Sequence, residues 1–218
     1  MEDKPNQSSE QFCVKLLMLG DSGVGKTSLV SRFYFSSWQP ETISTIGLDF
    51  KIKSVVLDDQ TVLKMLVWDT SGQEKYMAVA KNYYQNATGC LLLFDLTNRE
   101  SYANIQKWVK RLTEDAPEEC EVMIIGNKSD MVDQRQVSFE EGKNYAKELG
   151  YDYLETSAKD GSCVQQAFMQ IGANMKGLLA GKEGNQKGEN LADVRGIRVG
   201  KFAKDLDIDV EEKKGCGC

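Results

Sequence analysis

The 218-residue chain contains no histidine. That absence removes the side chain best suited to proton transfer near neutral pH, most zinc sites and any Ser–His or Cys–His nucleophile pair. Catalysis must therefore run on carboxylates, amides, hydroxyls, Lys, Arg or a metal ion. An excess of positive charge is missing as well. The 27 Lys and Arg are outnumbered by 33 Asp and Glu, giving a net charge of −6. Nucleic acid is excluded as the main partner on that ground, because phosphate contacts need clustered cations. No window approaches the run of apolar residues that a membrane-spanning helix needs. Residues 1–11 are polar and lack an apolar core, so no secretory signal is expected there.

What remains is the composition of a soluble globular protein, 41% hydrophobic and 28% charged, at a length that fits one domain with residues left for tails. The six cysteines fall into two groups. Cys13, Cys90, Cys120 and Cys163 are scattered and read as small buried hydrophobes of a reducing compartment. Cys216 and Cys218 stand apart.

Residues 1–11 read as a flexible leader, 12–180 as a folded domain and 181–218 as a mobile tail, where glycines mix with Lys, Glu, Asn and Gln. Within the domain, apolar runs alternate with helical patterns. Strands are expected over 14–19, 50–57, 62–69, 90–94, 122–126 and, more weakly and edge-like, 151–155. The second and third should form an antiparallel hairpin across Asp58, Asp59 and Gln60. The continuous apolar runs suit parallel strands covered on both faces. Helices are expected over 26–35, 75–86, 99–114, 138–149 and 162–179. The pattern implies an α/β fold, a six-stranded mostly parallel sheet with one antiparallel strand and helices on both faces. Ligands of such sheets bind beyond the carboxyl ends of the strands, where the motifs fall.

Gly20-Asp21-Ser22-Gly23-Val24-Gly25-Lys26-Thr27 matches G-x-x-x-x-G-K-[ST], between a buried strand and a helix N-terminus. This is a P-loop: glycines let the backbone approach a phosphate, while freed N–H groups and the helix dipole favour the anion. Contacts from Ser22, Gly23, Val24, Gly25, Lys26, Thr27 and Ser28 are expected. Lys26 would reach the β- and γ-phosphates, and the Thr27 hydroxyl would ligate Mg²⁺. The motif implies a nucleoside triphosphate without naming the base.

Asp69-Thr70-Ser71-Gly72-Gln73 ends the apolar strand that precedes it. Asp69 can hold Mg²⁺ through a water, Gly72 can offer its N–H to a γ-phosphate, and Gln73 can orient the attacking water. Asn127-Lys128-Ser129-Asp130 follows the fifth strand. The Asp130 carboxylate can accept from guanine N1–H and its exocyclic amine, whereas adenine would leave it unpaired at a cost of several kcal/mol. Lys128 can lay its stem along the base. Backbone N–H groups in Glu155-Thr156-Ser157-Ala158-Lys159 could reach guanine O6, with a bland loop as the alternative for this segment in isolation.

In this order and spacing the motifs resemble the Ras-type small GTPases, and within them the Rab family. Ser44-Thr45-Ile46-Gly47-Leu48-Asp49-Phe50, Lys64-Met65-Leu66-Val67-Trp68, Tyr83-Tyr84 and Leu93-Phe94-Asp95-Leu96-Thr97 carry the likeness further. The resemblance implies that Thr45 ligates Mg²⁺ and senses the γ-phosphate, and that Trp38 lies over the guanine. Ser157, Ala158 and Lys159 would complete the base pocket. Three departures stand out: Ser71 in place of Ala, Lys75-Tyr76-Met77 in the second switch, and Gln85-Asn86 after the paired tyrosines.

Gly occupies position 215, so a C-a-a-X lipidation box is excluded. The pair Cys216 and Cys218 resembles the double geranylgeranylation site of Rab proteins. One lipid chain anchors only marginally. Residues 205–212 carry five acids, so a polybasic patch cannot supply the second anchor. A labile disulfide or a metal clip is the alternative. The resemblance therefore implies a monomeric GTP/GDP switch that hydrolyses GTP with Mg²⁺ and cycles between cytosol and the cytoplasmic face of intracellular membranes. Its implied partners are a guanine exchange factor, a GTPase-activating protein, a lipid-shielding escort and vesicle-trafficking effectors. The altered second switch motivates a second reading, a pseudo-GTPase scaffold. A metabolic P-loop kinase is disfavoured, since no Arg-rich acceptor lid is present.

Overall fold

The computed structural model describes residues 11–36, 48–57, 61–70 and 81–183. The described residues form six strands: β1 (Gln11–Leu19), β2 (Leu48–Val56), β3 (Val62–Thr70), β4 (Gly89–Asp95), β5 (Glu121–Asn127) and β6 (Asp152–Thr156). They form one sheet in the order β2-β3-β1-β4-β5-β6. Only β2 runs antiparallel, paired with β3 from Leu48↔Thr70 to Val56↔Val62. The mixed α/β sheet expected from the sequence is thus the observed one, and β6 lies at its edge.

The helices of the described residues are α1 (Lys26–Phe35), α2 (Lys81–Tyr84), α3 (Arg99–Ala103), α4 (Ile105–Asp115), α5 (Phe139–Glu148) and α6 (Val164–Glu183), with a 3₁₀ turn over Val132–Gln134. Because side chains alternate along a strand, central β1 feeds two cores. Val14, Leu16 and Met18 face Leu29, Val30 and Phe33 of α1 and Ala167, Phe168 and Ile171 of α6. Leu17 and Leu19 face Tyr84, Ile105, Trp108 and Leu112 on the other side. Phe33 stacks on Phe168 at 3.8 Å between ring centroids, which locks α1 against α6. Each fully buried aliphatic side chain contributes about 1.5–3 kcal/mol. A methyl group at Gly172 would lie 2.6 Å from Met65 Cε, so α6 packs close to the sheet only with glycine there.

The structure departs from the sequence reading in several places. β1 begins at Gln11, inside the stretch read as leader, with Gln11 opposite Val62. The helix expected over 99–114 is two helices that meet at Asn104. Asn98 starts the first, its side chain accepting from the N–H groups of Glu100 and Ser101. At the junction the Asn104 amide donates 2.7 Å to Asp21 Oδ2, a partner 83 residues away that no local pattern reveals. Of the helix expected over 75–86, Lys81–Tyr84 is helical, and 71–80 lie outside the described residues. The hairpin turn at 58–60 also lies outside them. Of the four scattered cysteines only Cys90 is buried; Cys13 and Cys120 are half-buried and Cys163 is exposed. Cys163 sits in a turn at φ 54°, ahead of α6, where no core reaches it.

Candidate functional site

The motifs converge at the carboxyl ends of β1, β3, β4, β5 and β6. β1 ends at Leu19 and α1 starts at Lys26, so the P-loop is the whole connection. Gly20 has φ 134° and an added Cβ would lie 2.2 Å from the Leu93 carbonyl oxygen. Gly25, at φ 98°, caps α1 with no side chain of its own, leaving the first-turn N–H groups open to a ligand. Lys26 is buried, and its ammonium donates 2.8 Å to Gly20 O and 2.8 Å to Asp21 O. Burial pushes its pKa down to about 8, while the Asp69 and Asp21 carboxylates pull it back up.

Asp21 is held from α3 and α4. Asn104 donates to its Oδ2 and the Trp108 indole N–H to its Oδ1, at 2.7 and 2.8 Å. Asp69, 2% exposed, lies opposite Met18 in the β1–β3 register and so beside the root of the P-loop. Thr27 occupies the first turn of α1. One buried carboxylate and one hydroxyl make a sparse donor set. It fits Mg²⁺, which keeps several waters and takes the rest of its oxygens from phosphates.

Asn127 ties the two halves of the site together. Its amide Nδ2 donates 2.8 Å to Val24 O in the P-loop, and its Oδ1 accepts from Thr156 Oγ1 at 3.2 Å. A Cβ on Gly25 would stand 2.4 Å from that Nδ2, so glycine is needed for the approach as well as for the angle. Lys128, at φ 68°, pairs its ammonium with Asp95 Oδ2 at 2.7 Å. Asp95 is in turn oriented by the Thr97 N–H and hydroxyl at 2.8 and 2.7 Å. The Ser157 hydroxyl donates 2.6 Å to Asp130 Oδ1, and Lys159 Nζ stands 3.8 Å from Oδ2. The carboxylate is thereby fixed between two loops, with its side chain 14% exposed.

Behind this rim, Arg135 grips Glu155 through two bonds of 2.7 Å, and the Tyr153 hydroxyl donates 3.0 Å to Glu155 Oε1. On the other flank, Arg32 of α1 donates from Nε to Ala158 O at 2.7 Å and from Nη2 to Lys159 O.

The structure thus brings together Ser22, Gly23, Val24, Gly25, Lys26, Thr27, Ser28, Asp69, Asn127, Lys128, Asp130, Ser157, Ala158 and Lys159 at one end of the sheet. Trp38, Thr45, Gly72, Gln73, Cys216 and Cys218 lie outside the described residues. Sequence reasoning missed Arg32, Asp95, Asn104, Trp108 and Thr156. Asp95 was the most accessible of these, because it ends an apolar run just as Asp69 does.

The Ras family model matches residues 15–177. Among curated relatives, the Ras-related protein RABD2a of Arabidopsis thaliana is 39% identical over 189 residues, covering 86% of this chain and 93% of that protein. The GTP-binding protein ypt2 of Schizosaccharomyces pombe is 44% identical over 168 residues, 77% of this chain and 84% of its own. Human Ras-related protein Rab-8B is 45% identical over 160 residues, 73% and 77% respectively. With the P-loop, the Asn127–Asp130 loop and the sheet order in place, these matches establish that the chain belongs to the Ras family and, within it, to the Rab-type small GTPases.

Proposed function

We propose that this Rab-type GTP hydrolase of membrane trafficking works as a GTP/GDP switch on the described end of the sheet, with the residue roles that follow. The observation that carries the reading is the Asn127 side chain. One amide joins the phosphate loop to the end of β6, where the base loop begins, so triphosphate and base are read by one connected unit. Lys26 and the first-turn N–H groups of α1 hold the β- and γ-phosphates. Asp130 accepts from guanine N1–H and the exocyclic amine, Lys128 lies along the base, and Trp38 covers it. Ala158 and Lys159 present backbone donors to O6.

Thr27, Thr45 and Asp69 hold Mg²⁺, which neutralises charge developing on the phosphates. Gly72 donates to the γ-phosphate and Gln73 orients the attacking water. No strong base is present, so unaided turnover is slow and an activating protein supplies an Arg, a Gln or both in trans. The two switch segments are about 36–51 and 70–82, and Leu48 pairs with Thr70 in the sheet, so they are joined at that register point. Both segments therefore respond to the same γ-phosphate, and their ordering makes the effector surface.

Geranylgeranyl groups on Cys216 and Cys218 hold the protein at the cytoplasmic face of intracellular membranes. An escort shields them in the cytosol, and an exchange factor reloads GTP. No helix of the described residues is long and apolar enough to cross a membrane. The pseudo-GTPase scaffold draws no support from the fold or the relatives.

Single-turnover GTP hydrolysis with Mg²⁺, combined with GDP and ATP competition, tests the reading. Slow hydrolysis, tight GDP competition and no ATP competition are expected. Tight binding without hydrolysis, even with a Rab-type activating domain added, would reinstate the scaffold.

A further inference from the structure

Arg32 touches none of the ligand-binding atoms assigned above, yet it donates from α1 to the loop that follows β6. Its guanidinium reaches 126 and 127 residues along the chain, from Nε to Ala158 O at 2.7 Å and from Nη2 to Lys159 O. The third nitrogen, Nη1, donates 3.1 Å to Ser36 O, the C-cap of α1, where the first switch segment begins. Ser36 is itself in the left-handed region, φ 53°, with its N–H on Arg32 O. One planar fork therefore fixes two consecutive carbonyls of the base loop and the root of a switch segment.

The consequence for the loop follows from peptide geometry. No described peptide is cis. In a trans peptide the C=O and the following N–H point in opposite directions. Holding Ala158 O towards α1 therefore turns the Lys159 N–H to the opposite side. Holding Lys159 O turns the Asp160 N–H inward, where it donates 3.2 Å to Ser157 Oγ, the same hydroxyl that donates to Asp130. Among the described residues, the N–H groups of Ala158 and Lys159 donate to no protein acceptor. They are the donors left for a ligand carbonyl.

We propose that Arg32 is a positioning residue for base recognition: by fixing the Ala158 and Lys159 carbonyls it aims the free Lys159 N–H at the carbonyl of a six-keto purine, and so governs how long the nucleotide stays bound. This rests on the guanine reading above and deepens it. Arg suits the position because its planar fork satisfies two adjacent carbonyls at fixed geometry, whereas Lys offers a single point charge.

Release of fluorescent GDP from the full chain with Mg²⁺ tests the proposal in wild type, Arg32→Ala and Arg32→Lys. Two competition ratios are measured alongside. GDP against 6-thio-GDP reports on the six-keto group, because sulfur accepts hydrogen bonds poorly. GDP against IDP reports on the exocyclic amine facing Asp130. For Arg32→Ala we expect release faster by about ten-fold, the scale of one charge-assisted hydrogen bond. We also expect a GDP/6-thio-GDP ratio that falls towards unity while the GDP/IDP ratio holds. Arg32→Lys should fall between, and it carries the same two ratios should the Ala variant fail to fold. Release within about two-fold of wild type would overturn the proposal. So would both ratios falling together, since that marks general loosening. A wild-type protein that does not prefer GDP over ADP would overturn the guanine reading itself, and this inference with it.

Discussion

Lys15 is the least expected residue of the interior. It lies in the middle of β1, 3% exposed, and its ammonium donates 2.9 Å to Gln85 O. The Trp68 and Tyr83 rings lie 4.6 and 5.6 Å from it. Those contacts offset only part of the desolvation cost, and burial pushes its pKa down to about 8. Between that value and about 10.4, the unfolded chain binds more protons than the folded one, so this residue makes stability rise with pH. Lys15→Met should remove the rise. Urea unfolding at neutral pH and near pH 10 should show wild type gaining up to about 3 kcal/mol relative to the variant over that range. A parallel pair of pH profiles would refute it. Asp130 makes the complementary prediction at the rim. Asp130→Ala should cut the preference for GDP over ADP by on the order of 10³-fold while leaving Mg²⁺ dependence intact, as read by competition binding.

At the scale of elements, the P-loop and the α3–α4 junction are braced by the same residue. Asp21→Ala would strip the acceptor from Asn104 Nδ2 and from the Trp108 indole, leaving buried donors unmet. We expect a loss of about 1–3 kcal/mol in chemical denaturation, larger than the loss for Asp21→Asn, which keeps one acceptor. Gly25→Ala faces both φ 98° and the Asn127 amide at 2.4 Å. It should weaken GDP binding well beyond its effect on thermal stability, measured by calorimetry and melting in parallel.

These elements also mark what a reader of the sequence can and cannot see. Strands β1, β4 and β5 were legible because they are short apolar runs that run into Gly20, Asp95 and Asn127. The P-loop and the Asn127–Asp130 loop were legible because their chemistry needs adjacent residues. The break at Asn104 was not, since apolar spacing continues across it and its side chain's partner, Asp21, is 83 residues away. Arg32 was invisible for the same reason: its partners are distant in sequence, and a lone cation in a helix pattern reads as solvated surface.

For the whole molecule, the proposed lipid anchor divides between two cysteines. A single lipid gives marginal, reversible binding and a second makes it stable. Replacing Cys216 alone or Cys218 alone with Ser should therefore give a protein partly washed off membranes. Replacing both should leave it entirely in the soluble fraction of cells, with GTP hydrolysis unchanged. Equal membrane retention in all variants would rule out the lipid anchor.

The sheet order has a bearing on birth. β1 leaves the ribosome first, yet both of its sheet neighbours, β3 and β4, are encoded downstream, and Arg32 waits for residues 158 and 159. At roughly 5–20 residues per second, the P-loop exists for on the order of ten seconds before its base-binding counterpart has been synthesised. A nascent chain in that interval exposes a half-built nucleotide clasp and the unpaired edges of β1. Until the last strand is made, the residues that read the base and the phosphates cannot meet, so the complete site is a late product of synthesis.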